Sequence, residues 1–304
     1  MQIRIGTRGS ALARWQADWV ADELRRLGRD VELVFISTTG DRQQGSIGEL
    51  GVQGLFTREI QRALLDGHID LAVHSLKDLP TEQPNGLGLA AVPPRAAARD
   101  ALVSPHRTLA SLPAGAKVGT SSLRRRAQLL RARPNLTLLD IRGNVDTRLR
   151  KLDEGEFDAI VLAEAGLTRL GLAERISERL SLEVMLPAVG QGALGLETRA
   201  DDTGTIAAVG ALDDPATHQS VAAERALLAA LEGGCLAPIA AWGRMEGDRL
   251  LLTGRVVSVD GRQTAETTVA GDPREAASLG LQAAEELRAA GAEAMIGQAR
   301  GYRA

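Results

Sequence analysis

The chain has 304 residues, a formal net charge of −3, 44% hydrophobic residues and a single cysteine. This composition is typical of a globular protein and excludes a disulfide framework. No apolar run approaches the ~20 residues of a membrane span, and the first residues lack the apolar core of an export signal. Only 2% of the residues are aromatic, which disfavours nucleic-acid binding. We therefore expect a cytoplasmic protein of about two or three domains, with neither a membrane nor a nucleic acid as partner.

The N-terminal third alternates strand-like and helix-like segments. The hydrophobic pattern predicts strands at 3–6, 31–38 and 69–75, and helices at 10–27 and 56–67. Five glycines without periodicity lie in the stretch TGDRQQGSIGELGVQG, residues 39–54. A glycine-rich gap of this length inside a compact domain is typical of a mobile, functional loop.

The βα alternation restarts after a Pro- and Arg-rich stretch, VPPRAAARD, which indicates a crossing between domains. The last third differs, because short alternating strands near 236–270 precede an Ala-rich helix at 273–290. The predicted fold class is α/β, with two α/β lobes around a cleft and a small α+β C-terminal domain. The predicted domain boundaries are 1–92 with a return segment at about 190–212, then 98–187, then 215–304.

Cys235 stands in the turn GGC, directly after the first helix of the predicted C-terminal domain. A lone thiol has three interpretations: a buried small hydrophobe, a nucleophile, or an attachment point for a covalent group. Functional groups favour exposed turns over cores, so the glycine turn weakens the first interpretation.

The stretch HSLKDLP follows a predicted strand, and loops at strand carboxyl ends line ligand crevices in open α/β sheets. Asp78 could accept and donate protons there, and Lys77 could hold an anion. A solvated surface pair is the competing interpretation. The histidines are scattered along the chain, and we predict no metal site from them.

Arginines gather at the predicted strand-to-helix turns. In GTSSLRRRAQ, Arg124 and Arg125 lie in the first turn of a helix, where a cation opposes the helix dipole unless an anionic ligand compensates. Arginine binds carboxylates through two parallel hydrogen bonds. The pattern therefore predicts a pocket for a ligand with many carboxylates, to which these loops contribute Arg8, Arg124, Arg125, Arg142, Arg148 and Arg169.

Eight motifs occur in one order along the chain: TRGSALARWQ, GLFTREIQ, AVHSLKDLP, GTSSLRRRAQL, RGNVDTRLRKLD, AGLTRLGL, LPAVGQGALGLE and LEGGCLAPI. In this the chain resembles the porphobilinogen deaminase (hydroxymethylbilane synthase) family. The resemblance implies lobes similar to periplasmic solute-binding proteins and a transferase of tetrapyrrole and heme biosynthesis. That enzyme condenses four porphobilinogen molecules head to tail, releases ammonia at each step, and frees the linear tetrapyrrole hydroxymethylbilane with water. The resemblance also implies that the enzyme is a monomer and that its product passes to uroporphyrinogen-III synthase.

The resemblance also implies roles for individual residues. Cys235 resembles the family's anchor for a dipyrromethane cofactor, held through a thioether, and Asp78 matches the catalytic aspartate. Gln53 and Asp146 depart from the family pattern. A two-lobed polycarboxylate-binding protein without catalysis is the alternative function. The positions that match cofactor and substrate binding are Arg8, Ser10, Gln16, Phe56, Ser75, Lys77, Thr120, Ser121, Ser122, Arg124, Arg125, Arg142, Arg148 and Arg169.

Overall fold

The computed structural model describes residues 2–36, 57–233 and 237–301. The chain forms two compact units, each assembled from two separate stretches. The first unit comprises Met1–Ala96 and Ala193–His218, and the second comprises Ala97–Gly192 and Gln219–Ala304. The three sequence-derived domain boundaries stay a prediction. The glycine-rich segment 39–54, Phe56 and Cys235 lie outside the described residues.

The described elements alternate strands and helices over most of the chain. The strands are β1 Gln2–Thr7, β2 Asp30–Phe35, β3 Leu71–Ser75, β4 Leu87–Ala91, β5 Asp100–Val103, β6 Lys117–Gly119, β7 Thr137–Leu139, β8 Ala159–Ala163, β9 Glu178–Arg179, β10 Leu194–Arg199, β11 Ile239–Glu246, β12 Arg249–Val257 and β13 Thr264–Gly271. The helices are α1 Ala11–Arg26, α2 Arg58–Leu65, α3 Leu123–Ala132, α4 Val145–Asp153, α5 Glu164–Arg169, α6 Thr203–Gly210, α7 Pro215–Ala230, α8 Ala276–Ala289 and α9 Ala292–Arg300. Short 3₁₀ turns occur at Leu76–Asp78, Ala173–Arg175 and Pro273–Glu275.

The sheet of the first unit has the strand order β2-β1-β3-β10-β4. Strand β1 runs parallel to β2 and β3, and the return strand β10 runs antiparallel to β3 and β4. The carboxyl ends of β1 and β3 therefore lie at one edge of the sheet. Helix α1 buries Ala17, Val20, Ala21 and Leu24 in the core of this unit, together with Ile3 and Ile5 of β1.

The second unit repeats that architecture in its first sheet, with the strand order β7-β6-β8-β5-β9. Strand β6 is parallel to β7 and β8, and β5 is antiparallel to β8 and β9. Asp100, the first residue of β5, pairs with Ala163, the last residue of β8. Asp100 thus lies at the edge where β6, β7 and β8 end.

The second unit also contains an antiparallel sheet of three strands in the order β11-β12-β13. Its core combines Leu250, Leu252 and Val256 of β12 with apolar residues of α7, α8 and α9. A Cβ added at Gly280 of α8 would lie 2.5 Å from the Ala223 carbonyl oxygen of α7. The backbones of the two helices therefore pack directly against each other at this glycine. The predicted fold class, α/β lobes with a small α+β C-terminal part, is confirmed.

Sequence signals explain where the helices begin. Ser10 precedes α1 and its hydroxyl accepts a hydrogen bond from the Ala13 amide, while Ser122 precedes α3 and accepts one from the Arg125 amide. Each serine satisfies an amide that has no partner within its helix. Within residues 2–36, 57–233 and 237–301, no helix is both long enough and apolar enough to span a bilayer.

Candidate functional site

The first group of predicted site residues follows β1 and β3 at the carboxyl edge of their sheet. Arg8 and Ser10 come directly after β1, and Ser75 is the last residue of β3. Gln16, buried in α1, donates its side-chain N–H to the Ser75 hydroxyl at 2.8 Å. The Thr7 hydroxyl donates to the Ala13 carbonyl at 3.0 Å, which fixes the start of α1 on the end of β1. These contacts hold the turn after β1 next to the turn after β3.

Asp78 lies at the end of the 3₁₀ turn that continues from β3. The turn is held by the Leu76 amide, which donates to the Ala193 carbonyl, and by the Leu79 amide, which donates to the Leu76 carbonyl. Leu76 and Leu79 are buried, whereas Asp78 is exposed. Lys77 between them is half-buried. The alternation therefore anchors the turn by its leucines and leaves the Asp78 carboxylate accessible to a substrate.

A buried polar network lies at the level of β3 just before this turn. His74 Nε2 lies 3.0 Å from Glu197 Oε2 of β10, and the Gln61 side chain of α2 donates to Glu197 Oε1 at 2.9 Å. All three side chains are buried. Both oxygens of the Glu197 carboxyl group are thus hydrogen-bonded, as buried polar atoms require. His74 connects β3 to β10 and has a structural role.

In the second unit, the predicted residues after β6 and β7 are linked by one serine. The Ser121 hydroxyl donates to the Ile141 carbonyl at 2.8 Å and accepts from the Ile141 amide at 3.1 Å. The Thr120 amide donates to the Leu139 carbonyl at 2.8 Å. Arg142, which follows Ile141, is exposed. Ser121 therefore holds the Arg142 turn beside the N-terminus of α3.

Arg124 and Arg125 are buried on the first turn of α3, and Asp100 lies between their guanidinium groups. Arg124 Nη1 donates to Asp100 Oδ2 at 2.8 Å and to the Leu186 carbonyl at 2.7 Å. Arg125 Nε donates to Asp100 Oδ1 at 2.9 Å, and its Nη1 donates to the Val161 carbonyl at 2.9 Å. Sequence reasoning assigned the compensating negative charge to a ligand. In the structure Asp100 already supplies one.

The positive charge of this pair exceeds the negative charge of Asp100. Burial lowers the pKa of Arg124, and the adjacent Asp100 opposes that shift. Arg124 Nε is buried and has no hydrogen-bond partner within the described residues. A buried donor without an acceptor carries a desolvation cost that an anionic ligand would offset.

The remaining arginines lie on the helices that follow β7 and β8. Arg148 Nε of α4 donates to the Gly143 carbonyl at 2.8 Å, in the turn that also contains Arg142. Arg169, the last residue of α5, donates to the Gly192 carbonyl at 2.7 Å. Burial lowers the pKa of Arg169 to about 10. A nearby carboxylate would stabilise the charged form of such a desolvated guanidinium.

Sequence reasoning missed the buried carboxylates. Asp100 and Glu224 are both fully buried, and neither was selected as a functional residue. Glu224 of α7 accepts the Gly190 amide at 2.7 Å with one oxygen and the Gly243 amide at 2.7 Å with the other. The sequence offered one signal for Asp100, which directly precedes the apolar run ALV of β5. An acid next to a buried strand needs a hydrogen-bonding or charged partner.

Comparison with known proteins places these residues in a family. The model described as porphobilinogen deaminase, dipyromethane cofactor binding domain, matches residues 3–207, and the model of the porphobilinogen deaminase C-terminal domain matches residues 218–289. Porphobilinogen deaminase of Trichlorobacter lovleyi is 51% identical over 97% of this chain and 96% of that protein. The Geobacter metallireducens protein of the same name is 50% identical over 98% of this chain and 94% of that protein. A putative methionine-binding lipoprotein of Bacillus subtilis shows 14% identity and a TM-score of 0.44, over 69% of this chain and 89% of that chain.

Proposed function

We propose that Cys235 anchors the cofactor and that Asp78 transfers the protons in this chain, which belongs to the porphobilinogen deaminase family. The enzyme condenses four porphobilinogen molecules head to tail on a dipyrromethane primer, with loss of ammonia at each step. Water then releases the linear tetrapyrrole hydroxymethylbilane. The match at about half identity over nearly the whole chain supports this transferase and not a non-catalytic polycarboxylate-binding protein.

The donor set of the second unit fits a dipyrromethane. Such a group presents carboxylates, and the described residues offer a buried guanidinium donor without a partner at Arg124 and a desolvated cation at Arg169. When bound, the dipyrromethane supplies the terminal pyrrole on which the chain grows. Arg124, Arg125 and Arg169 would hold its carboxylates, because charge-assisted hydrogen bonds in a dry site are the strongest available. Thr120, Ser121 and Ser122 add the polar turn at the start of α3.

Cys235 is the proposed attachment point. It is the only thiol in the sequence, and it follows the last residue of α7 by a few positions, directly after two glycines. A thioether needs no second cysteine and no disulfide partner. The family match and the lone thiol together support the proposal.

Asp78 is the proposed acid and base because it is an exposed carboxylate on an anchored turn. As an acid, it protonates the aminomethyl nitrogen of porphobilinogen, and the C–N bond breaks as ammonia leaves. The ionised carboxylate then stabilises the positive charge left on the substrate pyrrole. It finally accepts the proton shed when the new C–C bond forms, which regenerates the acid. Protons and charge balance over one cycle.

The other cations of the two edges would bind substrate and the growing chain. Each added pyrrole brings an acetate and a propionate, so the demand for positive charge rises with every step. Arg8 and Lys77 lie at the edge that carries Asp78, and Arg142 and Arg148 lie at the edge that carries Arg124. Gln16, Ser10 and Ser75 keep the first edge in place through the contacts described above.

We further propose that the enzyme is a cytoplasmic monomer and that its product passes to uroporphyrinogen-III synthase. The family match supports this proposal. Light scattering of the purified chain at several concentrations tests the monomer, since a dimer would double the measured mass. A coupled assay with added synthase tests the transfer.

Intact-protein mass spectrometry tests the attachment. The purified chain should carry an adduct of two linked pyrroles, and Cys235→Ser should carry none and lose turnover. Cys235→Ala is the second variant, because alanine lacks the hydroxyl that Cys235→Ser introduces. An unmodified mass in freshly purified, active protein would contradict the proposal.

A further inference from the structure

Each unit contains an aspartate that lies between two arginines, and the two clusters differ in net charge. In the first unit, the neutral cluster is formed by Arg4, Asp70, Arg199 and Asp202. In the second unit, the cationic cluster is formed by Arg124, Arg125 and Asp100. Within the described residues, two carboxylates balance two guanidiniums in the first cluster, and one carboxylate faces two in the second.

All four carboxylate oxygens of the neutral cluster accept hydrogen bonds. Arg4 donates through Nε and Nη2 to both oxygens of Asp70, at 2.9 and 2.8 Å. Arg199 donates to Asp70 at 3.0 Å, to Asp202 at 2.7 Å and to the carbonyls of Leu64 and Ile69. This cluster ties together β1, β10 and the start of β3, and its charges cancel.

The cationic cluster fixes Arg124 without satisfying it. The two bonds from Arg124 Nη1, to Asp100 and to the Leu186 carbonyl, determine the orientation of the planar guanidinium. Because the group is planar, those two bonds also determine the direction of the Nε–H bond. That donor is buried and has no partner within the described residues.

We propose that Asp100 is a positioning residue for anion recognition. It orients Arg124 so that the Nε–H group can donate to a ligand carboxylate, and it leaves the cluster with one positive charge. The inference rests on the proposed function, because the ligand is the dipyrromethane. A ligand carboxylate would complete the cationic cluster in the way that Asp202 completes the neutral one. The side chain acts through Arg124 and Arg125 and does not touch the reacting atoms.

The carboxylate at position 100 is needed for two reasons. Its two oxygens accept from both arginines, and an amide has only one acceptor oxygen, so one arginine would lose its partner. The amide N–H would also face a guanidinium donor. In Asp100→Asn, Arg124 is expected to turn toward other acceptors, and the cluster gains a positive charge in a buried place.

The test compares Asp100→Asn with Asp70→Asn, which removes the corresponding carboxylate of the neutral cluster. Both chains are purified as folded protein, and intact mass spectrometry gives the fraction that carries dipyrromethane. Unfolding midpoints are measured in parallel. Asp100→Asn should lower the occupancy by about tenfold or more, because the cofactor must bind before the thioether forms and that binding loses an oriented charge-assisted bond. Asp70→Asn should lower the unfolding midpoint and leave the occupancy of the folded fraction unchanged.

Full occupancy in folded Asp100→Asn would overturn the inference and leave the proposed function intact. A wild-type chain without any adduct would overturn the proposed function first. If Asp100→Asn does not fold, ¹⁵N NMR of Cys235→Ser, which cannot carry the cofactor, provides the test. The Arg124 Nε–H signal, assigned by its loss in Arg124→Lys, should be slow to exchange with water before any ligand is present. Fast exchange would overturn the inference.

Discussion

The two five-stranded sheets share one pattern of parallel and antiparallel strands, yet they place their Arg–Asp–Arg clusters at opposite edges. Asp70 precedes β3, at the amino edge of its parallel strands, and Asp100 lies where β8 ends, at the carboxyl edge. Ligands in open α/β sheets bind outside the carboxyl ends of strands. The cluster at the amino edge is neutral and closed, and the cluster at the carboxyl edge keeps a charge and a donor for a ligand. Net charge and position together separate a structural ion cluster from a binding one.

The carboxyl edges themselves differ in their acids, because Asp78 is exposed and Asp100 is buried. Asp78→Ala should reduce turnover by about 10²–10⁴-fold, the usual contribution of a positioned acid and base. The unfolding midpoint should not change, since the side chain is exposed. Steady-state assays and thermal unfolding of the same sample measure both.

Glu82→Gln is the matched control for Asp78→Ala, because Glu82 is an exposed carboxylate four residues further along the chain. It should keep normal turnover. Near-normal activity in Asp78→Ala would show that Asp78 is not the acid and base of the reaction.

Replacing one arginine in each cluster tests whether the two clusters differ in role. Arg124→Gln should weaken the non-covalent binding of dipyrromethane that precedes thioether formation by about 1.5–3 kcal/mol, the range for hydrogen bonds to charged groups, and give largely cofactor-free protein. Arg199→Gln should keep its cofactor but lose roughly 1–3 kcal/mol of unfolding free energy, since two carboxylates and two carbonyls lose a donor. Mass spectrometry and urea unfolding separate the two effects. Identical behaviour of the two variants would mean that the clusters do not differ in role.

The smallest expected effect is the pH dependence of the neutral cluster. Burial raises the pKa of Asp70, but hydrogen bonds from Arg4 and then Arg199 outweigh it and lower that pKa to about 2. The unfolded value is about 3.9. Because the folded pKa is the lower one, the stabilisation is complete above pH 4 and is lost as the pH falls toward 2. The contribution at neutral pH is about 1–2 kcal/mol, after allowance for solvent screening.

Urea unfolding at several pH values tests this dependence. Asp70→Asn should be less stable than wild type at pH 7, and the two curves should converge as the pH approaches 2. Asp272→Asn is the control: hydrogen bonds from Arg274 lower the pKa of Asp272 to about 2, but this pair is exposed. It should show no resolvable change in stability. A constant gap between wild type and Asp70→Asn at all pH values would show that the Asp70 charge is not responsible.

Much of the fold follows from local sequence. The apolar runs place β1, β2 and β3 as predicted, and Ser10 and Ser122 mark the starts of α1 and α3. The motif order identifies the family and with it the reaction. These features are readable because periodicity and N-capping depend on residues within a few positions of one another. The roles of Asp78, Cys235 and the arginines stay predictions that the variants above test.

The partners of the site residues come from the tertiary structure alone. Asp100 is 24 positions from Arg124 along the chain, and Gln16 is 59 positions from Ser75. No local pattern relates such residues, because their distance depends on which strands pair and in which register. Local sequence alone predicts that arginines gather at the strand-to-helix turns and that an acid follows β3. Only the assembled sheet decided that Asp100 neutralises one of two buried charges, since an ion pair forms where the fold brings opposite charges together out of water.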